Sequence, residues 1–269
     1  MGGRGASAVR PPEGRGGPEE LFLRLQARGP ALLLFSGGVD SGLLLVLGKK
    51  ALGGGLTALT AVGPHTAPGE AWAAFDLARR QGVRHLWLPF DPLTLPDFRH
   101  NTPRRCYACK QALVRAATVA ARRLGAKVIW DGTNLDDLAD DRPGLQAARE
   151  AGVVSPLVDA GMDKQAVREL SFRLGLAGDK PAQSCLATRF PYHTTLTRED
   201  LARIGAAEAW LRRRGFSRVR LRVRGAAVHL ELPAHERTLF LRRHLWVPYA
   251  GFLFSVFGFR LKNLISATP

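Results

Sequence analysis

Cysteine is scarce in this chain: 3 in 269 residues, an odd count. That is too few for a disulfide framework, so the expected setting is reducing and cytoplasmic. Long apolar runs are also missing. The most apolar late stretch, "LWVPYAGFLFSVFGF" (245–259), carries Pro248, Gly251 and Gly258. It falls short of the about 20 residues that a membrane helix needs, so it reads as core or interface and no membrane partner is expected. The opening "MGGRGASAVRPPEGRGGP" lacks the apolar segment of a signal peptide and reads as a disordered tail over residues 1–18. Acidic residues are few, with 23 Asp and Glu against 39 Lys and Arg and a net charge of +16. Lysine supplies only seven of those cations. Part of this excess belongs to a composition rich in Ala, Arg and Gly. The rest suits a polyanionic ligand: a nucleoside triphosphate, a phosphorylated small molecule or a nucleic acid.

What is present is an alternation of helical and strand patterns. Helix is expected over 18–29, 39–52, 69–81 and 106–124, and strand over 31–35, 56–62, 84–90 and 126–132. Short, fully apolar strands between helices argue a parallel sheet covered on both faces. After about residue 180 the pattern turns polar and loop-like. Thr197 and Asp200 form a capping-box pattern that opens a helix running to about 214. Two period-2 runs, "RVRLRVR" and "VHLEL", then read as a β-hairpin. The expected fold class is therefore α/β: a parallel-sheet, Rossmann-like domain over 19–189, followed by a smaller α+β domain over 190–269. No internal repeat is visible.

Between the first strand and its helix stands "SGGVDS", residues 36–41. Glycines allow a tight turn and bring backbone N–H groups close to a ligand. The helix N-terminus adds positive potential. Ser36 and Ser41 add hydroxyls, so Ser36, Gly37, Gly38, Val39, Asp40 and Ser41 form a candidate pyrophosphate cradle. Asp40 fits beside phosphate only through Mg²⁺. The Walker A spacing is absent. The stretch resembles instead the SGGxDS signature of the PP-loop ATP pyrophosphatase superfamily, of the adenine nucleotide alpha hydrolase-like fold. Those enzymes make an adenylate from ATP and release pyrophosphate. "WDGTNLDDLADDRPG" (130–144) follows another strand and so reaches the same sheet edge. Thr133 and Asn134 are candidates for adenine or ribose, and Asp137 or Asp140 for Mg²⁺ or for ordering Arg142.

The cysteines lie in "RCYACK" and "QSCLATR". Cys106 and Cys109, three apart near a helix start and flanked by Arg104, Arg105 and Lys110, are expected to have lowered thiol pKa values. Three readings stay open on the residues alone. Cys106, Cys109 and Cys185 hold three irons of a 4Fe-4S cluster; Cys185 acts alone as nucleophile or sulfur donor; or all three are small buried hydrophobes.

"RCYACK", "DGTNLDDLADDRPG", "AAREAGVVSPLVDAGMDKQAVRELSFRLGL" and "KPAQSCLATRFPY", all downstream of "SGGVDS", resemble the LarE family over roughly residues 19–235. The resemblance implies an ATP-dependent sulfur transferase of nickel-pincer nucleotide cofactor synthesis. Its substrate would be a pyridinium dicarboxylate mononucleotide, activated as an acyl-adenylate and converted to a thiocarboxylate. In one branch the cysteine matching Cys185 gives up its own sulfur. In the other, the three cysteines bind a 4Fe-4S cluster that carries an extra sulfide, and this sequence has all three. The resemblance also puts Arg189, Glu208, Arg220 and Arg222 in segments that contact phosphate and substrate. Family members often form rings, so a homo-oligomer is among the expectations. The end, "PYAGFLFSVFGFRLKNLISATP", does not match the family's "LDxxGYRxGSMNE"-like tail, and an aspartate expected near the substrate is missing.

Alternatives are a PP-loop tRNA thiolase, an amide-forming PP-loop ligase and a non-catalytic nucleotide-binding module. No zinc ribbon or RNA-binding domain accompanies the +16 charge, so nucleic acid is not the expected partner.

Overall fold

A computed structural model describes residues 17–139, 142–176, 178, 184–225 and 227–257 of the chain. Most of the tail read over 1–18, Asp140, and the unmatched end beyond residue 257 lie outside the described residues.

The first half alternates as the apolar pattern requires. Helix α1 (Pro18–Ala27) leads to strand β1 (Ala31–Leu34), helix α2 (Val39–Leu52) and strand β2 (Leu56–Val62). Helix α3 (Glu70–Arg80), strand β3 (Arg84–Pro89), the short α4 (Pro96–Arg99), the long α5 (Arg105–Arg123) and strand β4 (Val128–Trp130) follow. The sheet is parallel throughout, in the order β3-β2-β1-β4. A single parallel bridge from Trp130 to Val154 continues it past β4.

Strand β1 explains why its sequence shows no polar alternation. Ala31, Leu33 and Phe35 join one core, with Leu43, Leu44 and Leu47 of α2 and Ala74 and Ala78 of α3. Leu32 joins another, with Ala117 and Ala121 of α5. Both faces are dry, so both need apolar side chains. Helix α2 is itself apolar nearly all round, with Ser41 through Gly48 buried. Its outer side is covered by α1 and by α8 (Lys164–Arg173), which follows α6 (Pro143–Glu150) and α7 (Pro156–Asp159).

Chain order and sheet order part company between β1 and β4. The chain winds outward from β1 to β3, then crosses back to lay β4 on the other side of β1. Such a reversal leaves a crevice at the carboxyl ends of β1 and β4, where ligands of open α/β sheets bind.

The second core is built from α9 (Arg198–Arg212), the antiparallel hairpin β5 (Arg220–Arg224) and β6 (Ala227–Glu231), α10 (Ala234–Arg242) and α11 (Trp246–Phe257). Thr197 caps α9, accepting from the Asp200 N–H at 3.0 Å. On β5, Leu221 turns into this core while Arg220 and Arg222 take the other face. The apolar segment at 245–259 forms α11 over its described part. Tyr249 is fully buried there, and its hydroxyl donates to the Ala207 carbonyl at 3.1 Å. Among the described residues, no helix is long and apolar enough to cross a membrane.

Candidate active site

The turn after β1 needs its glycines for identifiable reasons. Gly37 has φ +73°, and a β-carbon there would sit 3.0 Å from the Ala74 methyl. Gly38 is the N-cap of α2. Its N–H lies 3.3 Å from the Ser36 Oγ, which in turn lies 3.1 Å from the Ser41 Oγ. The loop thus gathers two hydroxyls and backbone donors at a helix N-terminus, the arrangement that favours an anion. Val39, also expected in the cradle, packs its side chain against the core beneath.

The loop after β4 closes the other side. Asn134, fully buried, donates from Nδ2 to the Asp40 Oδ1 at 3.2 Å and accepts from the Asp137 N–H at 3.2 Å. Its side chain ties the two loops together. Burial raises the Asp40 pKa, the Asn134 hydrogen bond opposes this, and the charge of Asp137 adds to the rise. Asp40 and Asp137 therefore form an acidic pair that a divalent cation would relieve. Arg142 reaches Asp137 at 2.7 Å and Lys164 stands 3.6 Å from it.

Sequence reasoning passed over three residues here. Asp131 is 4 % exposed at the end of β4 and accepts from Lys110 at 3.1 Å and Ser155 at 2.8 Å. Burial alone would raise its pKa, but Lys110, Ser155 and Thr133 outweigh that and hold it below the ordinary carboxylate range. Both members of the Lys110–Asp131 pair line the cavity described below. The third residue is Gly132. A β-carbon there would lie 2.9 Å from the Ser41 nitrogen and 3.2 Å from the Ser41 Cα. Neither is a side-chain atom that could swing aside. Gly132→Ala is expected to push the two loops apart and weaken ATP binding about tenfold or more, measured by calorimetric titration. An unchanged affinity would show that the loop contact does not shape the cradle.

One cavity of about 460 Å³ joins these parts. Ser36, Ser41, Thr133 and Asp137 line it, and so do Ser184 and Cys185. The Cys185 loop is held there by the Leu186 N–H, which donates to the His65 carbonyl at 3.0 Å.

Cys106 and Cys109 fall near the start of α5, as the sequence indicates. Cys106 is exposed, whereas Cys109 and Cys185 pack against the second core. The expectation of lowered thiol pKa values does not hold for Cys109. Burial, followed by Cys185 and Cys106, pushes it up to about 12, and Lys110 offsets only part. Burial likewise pushes Cys185 up to about 11, against the Ala187 backbone N–H, Arg105 and Arg189. Desolvation wins because an apolar wall replaces water around a group that must become charged. The three thiols sense one another electrostatically. Among the described residues, no group of three or more His, Cys, Asp or Glu side chains stands ready to hold a metal ion.

Arg189, Glu208, Arg220 and Arg222 come together, though none lines the cavity. Arg189 donates from Nε and Nη2 to the two Glu208 oxygens at 2.6 and 3.2 Å. Its Nη1 reaches Ser184 at 2.6 Å and Thr188 at 2.8 Å. Arg222 bonds Glu231 at 2.7 Å and the Thr188 carbonyl at 3.3 Å. Arg220 is half-buried, and burial together with the charges of Arg189 and Arg222 lowers its pKa. Arg189 and Arg222 are thus anchored to Ser184 and Thr188, on either side of Cys185–Ala187.

No family model matches the chain. Three curated proteins do. An uncharacterized protein of Synechocystis sp. is 41 % identical over 213 residues, 79 % of this chain and 80 % of that protein. The pyridinium-3,5-bisthiocarboxylic acid mononucleotide synthase of Lactiplantibacillus plantarum is 36 % identical over 201 residues, 74 % of this chain and 73 % of that one. An uncharacterized protein of Methanocaldococcus jannaschii is 31 % identical over 194 residues, 70 % and 73 % of the two chains. With identity at this level over most of each protein, and with the strand–SGGVDS–helix unit at the sheet's switch point, the chain belongs to the family of these proteins, within the PP-loop ATP-pyrophosphatase-like superfamily.

Proposed function

We propose that the chain is a LarE-type, ATP-dependent sulfur transferase. It converts a carboxylate of a pyridinium dicarboxylate mononucleotide to a thiocarboxylate. The observation that carries this reading is the single cavity shared by Ser36, Ser41 and Cys185. A nucleotide-activating loop and a sulfur atom open on one space. The printed name of the Lactiplantibacillus plantarum relative, a bisthiocarboxylic acid mononucleotide synthase, fits that pairing.

A carboxylate is a poor electrophile, and adenylation gives it a leaving group. The substrate carboxylate attacks the α-phosphorus of ATP, the bond to the β-phosphate's bridging oxygen breaks, and pyrophosphate leaves into the Ser36–Ser41 cradle. Asp40 and Asp137 are the carboxylates to hold the Mg²⁺ that escorts it, and Thr133 with the backbone beside it faces the nucleotide. Lys110, paired with Asp131, puts a cation on the cavity wall. Sulfur then attacks the acyl carbon, the bond to the phosphate oxygen breaks and AMP departs. Arg220 and Arg222 are the candidates for the mononucleotide phosphate, with Arg189 and Glu208 as their frame.

Cys106, Cys109 and Cys185 are soft donors that sense one another and suit a thiolate-ligated iron–sulfur cluster; they would hold three of its irons. Such a cluster supplies a carried sulfide. Without it, Cys185 would lose its sulfur and its Cα proton and become dehydroalanine.

The test is anaerobic purification and reconstitution, followed by reaction with ATP and the dicarboxylate mononucleotide. AMP and thiocarboxylate are expected to appear together, with about four irons per chain that are lost in Cys106→Ala. AMP formation that needs ammonia and yields an amide would replace this reading with the ligase one. Thiocarboxylate without bound iron would leave Cys185 as the sacrificial donor.

A further inference from the structure

The hydroxyl of Thr60 sits where the sheet meets the cradle. Thr60 lies near the end of β2 and is 5 % exposed. Phe35 stands between β1 and Ser36, and Phe35 and Thr60 both line the cavity. The Phe35 N–H donates to the Leu59 carbonyl at 2.8 Å, which carries the β1–β2 ladder one step past β1. A side chain takes the Phe35 carbonyl instead: the Thr60 hydroxyl reaches it at 2.6 Å. The same hydroxyl lies 2.8 Å from the His85 Nε2. Strand pairing brings the two side chains together. Ala58 stands beside His85 in the β2–β3 register, and Thr60, two positions on, points to the same face.

Proton counting fixes the direction of this chain. A carbonyl only accepts, so Thr60 gives its one proton to Phe35. The Thr60 oxygen then has lone pairs alone to offer His85, and Nε2 is the donor. The other ring nitrogen, Nδ1, is sealed from solvent and has no partner among the described residues. A second proton would leave it as a buried N–H without an acceptor on a buried charge. Burial accordingly lowers the His85 pKa. The ring is held in place by Phe35, edge-on at 5.9 Å, and by Phe75 at 6.0 Å. These surroundings accept one form of the imidazole, neutral with its proton on Nε2. His85 itself does not line the cavity, so it acts through Thr60.

We propose that His85 is a positioning residue for the cradle: its Nε2–H holds the Thr60 oxygen, so that the Thr60 proton pins the Phe35 carbonyl one residue before Ser36. This deepens the reading of "SGGVDS" as the ATP site and rests on it. Without His85, the Thr60 hydroxyl is free to turn away, and the backbone that enters the cradle loses its last side-chain tie.

The test has two parts, both on the full-length chain. The first is a long-range proton–nitrogen NMR spectrum of histidine-labelled protein at neutral pH without ATP. The His85 signals are identified by their loss in His85→Gln. A proton on Nε2 and none on Nδ1 is expected; a bare Nε2 or a doubly protonated ring would overturn the proposal. The second is calorimetric titration with ATP and Mg²⁺ in a double-mutant cycle. His85→Leu and Thr60→Val are each expected to weaken ATP binding about tenfold, the size of one buried hydrogen bond. The double variant is expected to bind no more weakly than Thr60→Val alone, because both changes act through one hydroxyl. His85→Gln, with an amide N–H near the place of Nε2, is expected to regain most of the loss. Losses that add in the double variant, or no rescue by Gln, would reduce His85 to a packing residue and overturn the proposal. If His85→Leu does not fold by circular dichroism, His85→Phe takes its place in the cycle. Equal ATP affinity in all forms would remove the role of His85 alone, whereas an unmodified chain that binds no ATP would remove the nucleotide reading of the cradle and this role with it.

Discussion

Cys185→Ala abolishes thiocarboxylate formation while adenylation, read as ATP-dependent release of pyrophosphate, continues. The separation is expected because the two chemistries stand on different elements. Ser36 and Ser41 belong to the β1–α2 turn, braced from the side by Asn134. Cys185 belongs to the loop before α9, braced by Arg189 through Ser184 and Thr188. Removing one sulfur leaves both braces in place. Loss of the thiolated product by about three orders of magnitude or more is expected, as for removal of a reacting group. Pyrophosphate release should stay within about fivefold, since no cradle residue changes. Mass spectrometry of the product and a coupled pyrophosphate assay read the two halves. Full formation of thiocarboxylate by Cys185→Ala would remove sulfur chemistry from this residue. Full formation of an ammonia-derived amide, with no thiocarboxylate from either form, would leave the amide-forming reading, in which the cysteine has no role. The burial that pushes the Cys185 thiol up to about 11 sharpens the point. A neutral thiol is a weak nucleophile, so its sulfur becomes reactive only when a ligand, metal or product of adenylation changes its surroundings.

The parts of this site that were legible in the sequence are those whose residues are consecutive. "SGGVDS" carries its turn, hydroxyls and helix start in six neighbouring positions, and the apolar run before it declares a strand buried on both faces. The capping pattern of Thr197 and Asp200 and the alternation of "RVRLRVR" are local in the same sense, and they give α9 and β5 directly. What was not legible depends on segments far apart in the chain. Gly132 matters because the backbone of Ser41 passes beside it, which no local pattern records. Lys110 and Asp131 are 21 positions apart and meet only because α5 and β4 are neighbours. The thiols were misjudged for the same reason. The cations around "RCYACK" are visible in sequence, but the apolar wall from the second core that outweighs them is not. Likewise, Arg189 and Glu208 read as two polar residues suited to a substrate, and their pairing needs α9 folded back onto the Cys185 loop.

That pairing sets the largest expected effect on stability. Glu208 is fully buried and accepts from Arg189 twice, from Arg212 at 2.6 Å and from the Leu221 N–H at 3.0 Å. It therefore joins the Cys185 loop, α9 and β5 through one carboxylate. Glu208→Leu strands a buried guanidinium and is expected to cost about 3–5 kcal/mol in urea unfolding. Arg189→Met strands the carboxylate less completely, because Arg212 and the Leu221 N–H remain, and should cost less. The double variant should be more stable than the sum of the two losses predicts, since two apolar side chains leave no unpaired charge between them. A carboxylate held only for substrate would behave differently. Its removal would leave the unfolding midpoint in place and lower activity alone. A loss below about 1 kcal/mol in Glu208→Leu would therefore overturn the structural reading of the pair. If the large loss is seen, activity and stability should fall together. The same guanidinium that needs Glu208 also holds Ser184 and Thr188, and so fixes where Cys185 meets the cavity.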